Sequence, residues 1–220
     1  MNAKEHTDAV KRSCVDCGVV NCRSLDALFP DFCLSSSLTD EDVRTVKEQY
    51  EEPEIRKIAL VSAEIEADFY LRYTRVEETV AFARRMGYRK IGIATCVGLL
   101  FESRIFAEIL RKNGFEVYSA ACKVGSFNKA LVGFPEEKTK TTGAIMCNPI
   151  LQARLLNRNG TDFNVVIGLC VGHDSLFYKY SDALCTTLIA KDRVLGHNPA
   201  AVLYQTRSYA CRLLREPIAE

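Results

Sequence analysis

Apolar and polar positions change their rhythm near residue 88. Residues 1–13 read as a polar lead-in and 14–37 as a cysteine-rich segment; from Thr39 to residue 88 the spacing is helical. Thr39 followed by Asp40-Glu41-Asp42 gives an N-cap with an approximate capping box, and Val43, Val46 and Tyr50 then form one apolar face. A second helix is predicted from about Pro53 to Tyr73. A third runs from Arg75 to Met86 and stops at Gly87, the residue type that best ends a helix.

After Tyr88, short apolar runs alternate with amphipathic stretches. Lys90–Thr95, Phe115–Ala120, Asn164–Leu169 and Thr186–Ala190 read as strands. Leu99–Asn113, Pro149–Asn159, Asp174–Tyr180 and Pro199–Leu214 read as helices, with Pro149 suited to a first turn. Residues 123–143, with Gly125, Gly133, Pro135 and a charged run, read as a loop long enough to carry function or a short helix. Strand–helix alternation predicts an α/β fold, a four-stranded parallel Rossmann-like sheet flanked by helices. A helical region precedes it, and a short cysteine-rich segment precedes that. The expected division is residues 1–37 against 38–220.

Composition narrows the partners. The 220 residues hold 29 basic and 28 acidic side chains, a net charge of +1. No global field favours nucleic acid or an anionic membrane. No apolar run is long enough to span a bilayer, and Met1–His6 lacks the apolar region of a signal peptide. The expected location is the cytoplasm, and the expected partner is a small molecule or a redox partner. In a reducing compartment, ten cysteines argue for metal or reactive thiolates over disulfides.

Their positions carry the chemistry. Cys14, Cys17, Cys22 and Cys33 fall within twenty residues of a short polar segment that has little apolar surface to bury. Four thiolates so close suit one metal centre, zinc or an iron–sulfur cluster, whose binding would order the segment. Only one CxxC element is present, so spacing leaves the metal open. Thioredoxin-like exchange at Cys14 and Cys17 is disfavoured, because no strand precedes them.

Cys96, Cys122 and Cys170 each follow a predicted strand, and Cys147 precedes a predicted helix. In a parallel sheet these positions share the carboxyl edge, where ligands bind. His173 sits at a helix start on the same rim and could ligate metal or move a proton. Cys96, Cys122, Cys147, Cys170 and His173 are therefore the expected cofactor-binding set. Taken singly, each cysteine would suit a crowded core equally well. Cys185 and Cys211 show no such pattern and are expected in the core. Lys191, Arg193 and His197 fall in one polar turn and could bind an anion. No GxGxxG, GxxxxGK[ST] or GxSxG string follows a strand, so the usual nucleotide and serine-hydrolase fingerprints are missing.

Several strings together carry a resemblance: Cys14-x-x-Cys17-x4-Cys22 with Asp31-Phe32-Cys33, Thr74-Arg75-Val76-Glu77-Glu78, Ile91-Gly92-Ile93-Ala94 with Cys96, and Cys122-Lys123-Val124-Gly125. Cys147-Asn148-Pro149, Gly168 to Asp174, and Lys191-Asp192-Arg193-Val194 with Gly196-His197-Asn198-Pro199 complete the set. The chain resembles an uncharacterised prokaryotic family of cysteine-rich proteins described as predicted metal-binding proteins. The resemblance implies that Cys14, Cys17, Cys22 and Cys33 form one motif. It marks Cys96, Cys122, Cys147, Cys170 and His173 as motif positions in the sheet domain. Two functions follow as expectations. One is a metal- or cluster-dependent redox protein, its rim cysteines holding a second centre or doing thiol chemistry. The other is a small-ligand or sensing module with a structural zinc knuckle.

Overall fold

A computed structural model describes residues 11–24 and 28–218. The polar lead-in expected before residue 11 lies outside the described residues. The chain divides into two compact units, residues 1–60 and 61–220.

The first unit begins with the cysteine segment, which forms only short 3-10 turns at Cys14–Asp16, Asn21–Arg23 and Leu34–Ser37. Val20 turns the chain between Cys17 and Cys22 at φ +48°, a conformation that costs a β-branched residue energy. Helix α1 (Asp40–Glu51) follows, and α2 (Pro53–Phe69) runs on from the first unit into the second. The Thr39 hydroxyl accepts from the Asp42 amide, and the Asp42 carboxylate accepts from the Thr39 amide, completing the expected box.

In the second unit, four strands form one wholly parallel sheet, β1 (Lys90–Thr95), β2 (Glu116–Ala121), β3 (Phe163–Ile167) and β4 (Leu184–Ile189). The spatial order is β2-β1-β3-β4. The chain leaves β1 in one direction to make β2, then crosses back to place β3 on β1's other side. The switch point of the sheet is therefore at the carboxyl ends of β1 and β3, where α/β folds open a crevice.

Strand alternation sorts the core into two layers. Ile91, Ile93, Val165 and Ile167 pack with Val80 and Ala83 of α3 (Arg75–Met86) and Phe106, Ala107 and Leu110 of α4 (Leu100–Lys112). Ala94, Ala120 and Val166 pack with Ala153 and Leu156 of the helix Pro149–Arg158 and Phe177 of the helix His173–Tyr180. The second layer is built of small residues because its helix lies close. A Cβ on Gly92 would sit 1.9 Å from the Asn164 Oδ1 and 3.0 Å from a Leu156 methyl.

The segment between Cys122 and Cys147 carries 3-10 turns at Lys129–Val132 and Glu136–Lys138 and a one-turn helix α5 (Thr139–Thr142). Its ends are tied together: Asn128 and Ile145 form an antiparallel bridge, and Lys123 Nζ donates to the Ile145 carbonyl. Helices α6 (Pro149–Arg158) and α7 (His173–Tyr180) complete the second layer.

The tail departs from expectation. In place of one helix over Pro199–Leu214, it makes α8 (Ala200–Tyr204), a run of turns, and α9 (Arg212–Arg215). Leu203, Tyr204, Tyr209 and Leu214 are exposed, so no apolar stripe is buried to hold a longer helix. Cys211 is correspondingly half-buried at the start of α9, outside both core layers. Among the described residues, no helix is long and apolar enough to cross a membrane.

Candidate functional site at the carboxyl edge of the sheet

The strand register places the first two rim cysteines. Thr95 pairs with Ala121, so Cys96 and Cys122 leave adjacent strands one step beyond the last paired residues. The Cys122 amide donates to the Thr95 carbonyl (2.8 Å). The Asn148 amide donates to the Cys122 carbonyl (2.7 Å), which brings Cys147 beside Cys122 from the far end of the long excursion. Asn148 then caps α6 through its side chain. Gln152, fully buried one turn into α6, donates its side-chain amide to the carbonyls of Thr95 (3.1 Å) and Ala120 (2.7 Å). That one amide clamps the two strands that carry Cys96 and Cys122.

The result is a row of side chains in which Cys96, Cys122, Cys147 and His173 each act electrostatically on the next. Cys122 is buried, while its neighbours are partly open. Its thiol is pushed far up, first by its hydrogen bonds to Cys147 and Cys96 and then by burial. It therefore keeps its proton and shares it between two acceptors. Cys147 is held down to about 4 by Cys122 and His173, with Lys123 adding positive charge. Cys96 is held down to about 5 by Cys122, the Gly98 amide and Lys191. The Gly98 amide lies 3.4 Å from its sulfur, and the Val97 amide 3.4 Å from that of Cys122. These are free N–H groups of the turn that opens α4, as a thiolate needs. His173 is raised by the Cys147 thiolate against the opposing effect of burial. Its Nδ1 is buried without a partner.

Cys170 stands outside this row. Its backbone carbonyl accepts from the amides of His173 (2.9 Å) and Asp174 (3.1 Å) at the start of α7, and Arg193 donates to its sulfur at 3.0 Å. Arg193 is also close enough to feel Cys96 and Cys147, so one guanidinium ties the outlying sulfur to the others. The predicted anion trio thus takes a specific form. Lys191 faces Cys96, Arg193 faces Cys170, and His197 turns back to accept from the Asp192 amide (3.1 Å). The groups that two of these residues meet are the protein's own cysteines. Two participants escape a reading of the sequence. Lys123 is signalled only by its adjacency to Cys122, and Gln152 has no signal beyond a polar residue in a buried helical stripe.

Gly168 explains how the rim closes at the switch point. At φ +67° it adopts a backbone conformation that suits glycine, and a Cβ would lie 1.9 Å from Leu99 Cδ1. Cys185 lies away from the rim's chemistry. Its thiol donates to the Ala183 carbonyl (3.3 Å), and burial raises it, as the core expectation requires.

In the first unit, Cys14, Cys17, Cys22 and Cys33 line one cavity of about 130 Å³ with Val20, Phe29, Pro30 and Phe32. Amides and hydroxyls of Ser35 and Ser36 lower the Cys33 thiol against the effect of desolvation. Soft sulfur donors around a small apolar hollow suit zinc or an iron–sulfur cluster chemically. Among the described residues, no three His, Cys, Asp or Glu side chains are already grouped as one ion requires.

Residues 33–188 match the family model described as "Protein of unknown function (DUF1847)", and the chain belongs to that family. It is 48% identical over 183 residues to "Uncharacterized protein MJ0455" of Methanocaldococcus jannaschii, covering 83% of this chain and 93% of the relative.

Proposed function

We propose that this DUF1847 protein is a thiol-based redox protein with a metal-bound N-terminal segment. Cys96, Cys122, Cys147 and His173 carry the thiol chemistry. Cys14, Cys17, Cys22 and Cys33 hold zinc or an iron–sulfur cluster. The observation that carries the reading is the row at the sheet edge, where the β1–β2 register and the backbone bonds of Cys122 to Thr95 and Asn148 set Cys96, Cys122 and Cys147 side by side. That is what thiol exchange needs: an ionised attacking sulfur, a second sulfur in contact with it, and a nearby acid. Lys123, Lys191 and Arg193 lower the cost of gathering negative charge there. The single cavity shared by the four N-terminal cysteines supports the metal assignment, as do their soft donors. When bound, the metal would supply the energy that orders a segment otherwise built of short turns.

Purification without oxygen, elemental analysis and an absorption spectrum test the metal. Mass-spectrometric mapping after mild oxidation tests the thiols. The expected result is metal lost on replacing Cys17 but retained on replacing Cys147, with reversible disulfides confined to the rim. Metal lost on replacing Cys147, with no rim disulfide under any oxidant, would overturn the thiol reading and assign the rim to a metal.

A further inference from the structure

We propose that the rim works as a three-sulfur disulfide relay in which Cys147 accepts, Cys122 resolves and Cys96 receives. The proposal rests on the thiol reading above and deepens it by giving an order of events and a reactant class, a small disulfide.

Geometry carries the order. Cys122 lies between Cys96 and Cys147, its backbone tied to each side. Its amide binds the Thr95 carbonyl, one residue before Cys96, and its carbonyl binds the Asn148 amide, one residue after Cys147. Cys96 and Cys122 are register neighbours beyond β1 and β2. Adjacent strands lie about 4.8 Å apart. That is inside the range of roughly 4.4–6.8 Å that a disulfide spans between Cα atoms. Cys122 is also the buried member, so a small disulfide reaches its neighbours first. Of those neighbours, Cys96 has the Lys191 ammonium beside it, whereas Cys147 has His173, an imidazole of the type that gives up its proton near neutral pH.

The steps balance without a metal. The Cys147 thiolate attacks one sulfur of R–S–S–R, forming Cys147–S–S–R, and the departing R–S⁻ takes the proton of protonated His173. The Cys122 sulfur then attacks Cys147. The Cys147–Cys122 bond forms, the second R–S⁻ leaves, and the Cys122 proton ends on it. Finally the Cys96 thiolate attacks Cys122, forming the Cys96–Cys122 disulfide and releasing Cys147 as a thiolate. Two electrons have passed from the Cys96–Cys122 pair to the small disulfide, giving two R–SH. Cys147 is ready again, and the oxidising equivalent is stored between two strand ends.

The test uses the full chain with oxidised glutathione as the probe, an acid quench and peptide mapping. In the wild type the stable product should be a Cys96–Cys122 disulfide with Cys147 free. Cys96→Ser should stop at Cys122–Cys147, and Cys122→Ser should stop at glutathione on Cys147. Cys147→Ser should lose the fast phase, and Cys211→Ser should match the wild type. Unchanged circular dichroism, or the same outcomes with alanine in place of serine, shows that each variant is folded. A Cys122–Cys147 disulfide as the final product in both the wild type and Cys96→Ser would overturn the relay and leave the thiol reading standing. Absence of any rim disulfide in folded wild type would overturn both.

Discussion

Arg193 donates to the sulfur of Cys170 across 3.0 Å, joining the turn after β4 to the turn after β3. The Asp192 carboxylate holds the first of these turns internally by accepting from the amides of Val194 and Leu195 at 2.9 Å each. Arg193→Gln should therefore leave the sheet intact and speed amide exchange at Val194 and Leu195. Because the guanidinium is exposed, the wild-type protection should itself weaken at high salt. Exchange rates equal to wild type in the variant would show that the contact has no structural role.

The pH dependence of Cys147 has a definite sign. Its thiol sits at about 4 in the fold against an ordinary 9.0. The stabilisation it brings is complete above the ordinary value and is lost as pH falls through about 4. His173, raised by the same contact, acts oppositely: its contribution is complete below its ordinary 6.5 and is lost as pH rises through its folded value. Alkylation of Cys147 by iodoacetamide should therefore be nearly flat from pH 6 to 8. A peptide thiol gains about tenfold per unit below its ordinary pKa of about 8.5. A Cys147 rate that climbs like the peptide's would refute the assignment of a thiolate.

Gln152→Leu removes the amide that clamps Thr95 and Ala120 while keeping the bulk of the side chain. Losing hydrogen bonds inside the fold should cost about 1–3 kcal/mol, read as a lower urea midpoint at unchanged slope. The row above it should loosen as well, so Cys96 and Cys147 should alkylate more slowly near neutral pH. Loss of stability with unchanged thiol reactivity would confine Gln152 to packing.

Gly168→Ala meets two obstacles, a positive φ and Leu99 Cδ1 at 1.9 Å. Backbone strain alone should cost about 1–3 kcal/mol. Adding Leu99→Ala should relieve the clash and leave the strain, so the pair should recover only part of the stability lost to Gly168→Ala once the cavity cost of Leu99→Ala alone is subtracted. Thermal unfolding of the two singles and the double decides it.

Cys17→Ser should abolish metal binding by the first unit and open residues 11–37 to protease, with the sheet still folded. Loss of the whole fold would place the metal in the core of the protein.

Much of this was legible from residues alone. Buried parallel strands such as Ile91–Thr95 are apolar on both faces, so they stand out between amphipathic helices. Cys96 and Cys122 inherit their places from topology, one step beyond β1 and β2, whereas β3 ends at Ile167, two residues before the expected end, which leaves Cys170 outside the row. The rest depended on contacts between distant parts of the chain. Lys123 and Gln152 acquire roles only once Asn148 binds Cys122 and folds α6 against the strand ends. The tail's failure as one helix is likewise a question of burial, since Leu203 and Leu214 have the right spacing but no surface to cover.

The tie between Asn148 and Cys122 fixes where the chain leaves the rim and where it returns. Everything between is then a closed detour, stitched at its base by Lys123 and by the Asn128–Ile145 bridge. Residues 130–141, beyond that stitching, can lengthen, shorten or change their surface during descent without displacing either flanking sulfur. The length of the detour and the spacing of the strand ends are thereby set independently, as a hem can be let out without moving the seam.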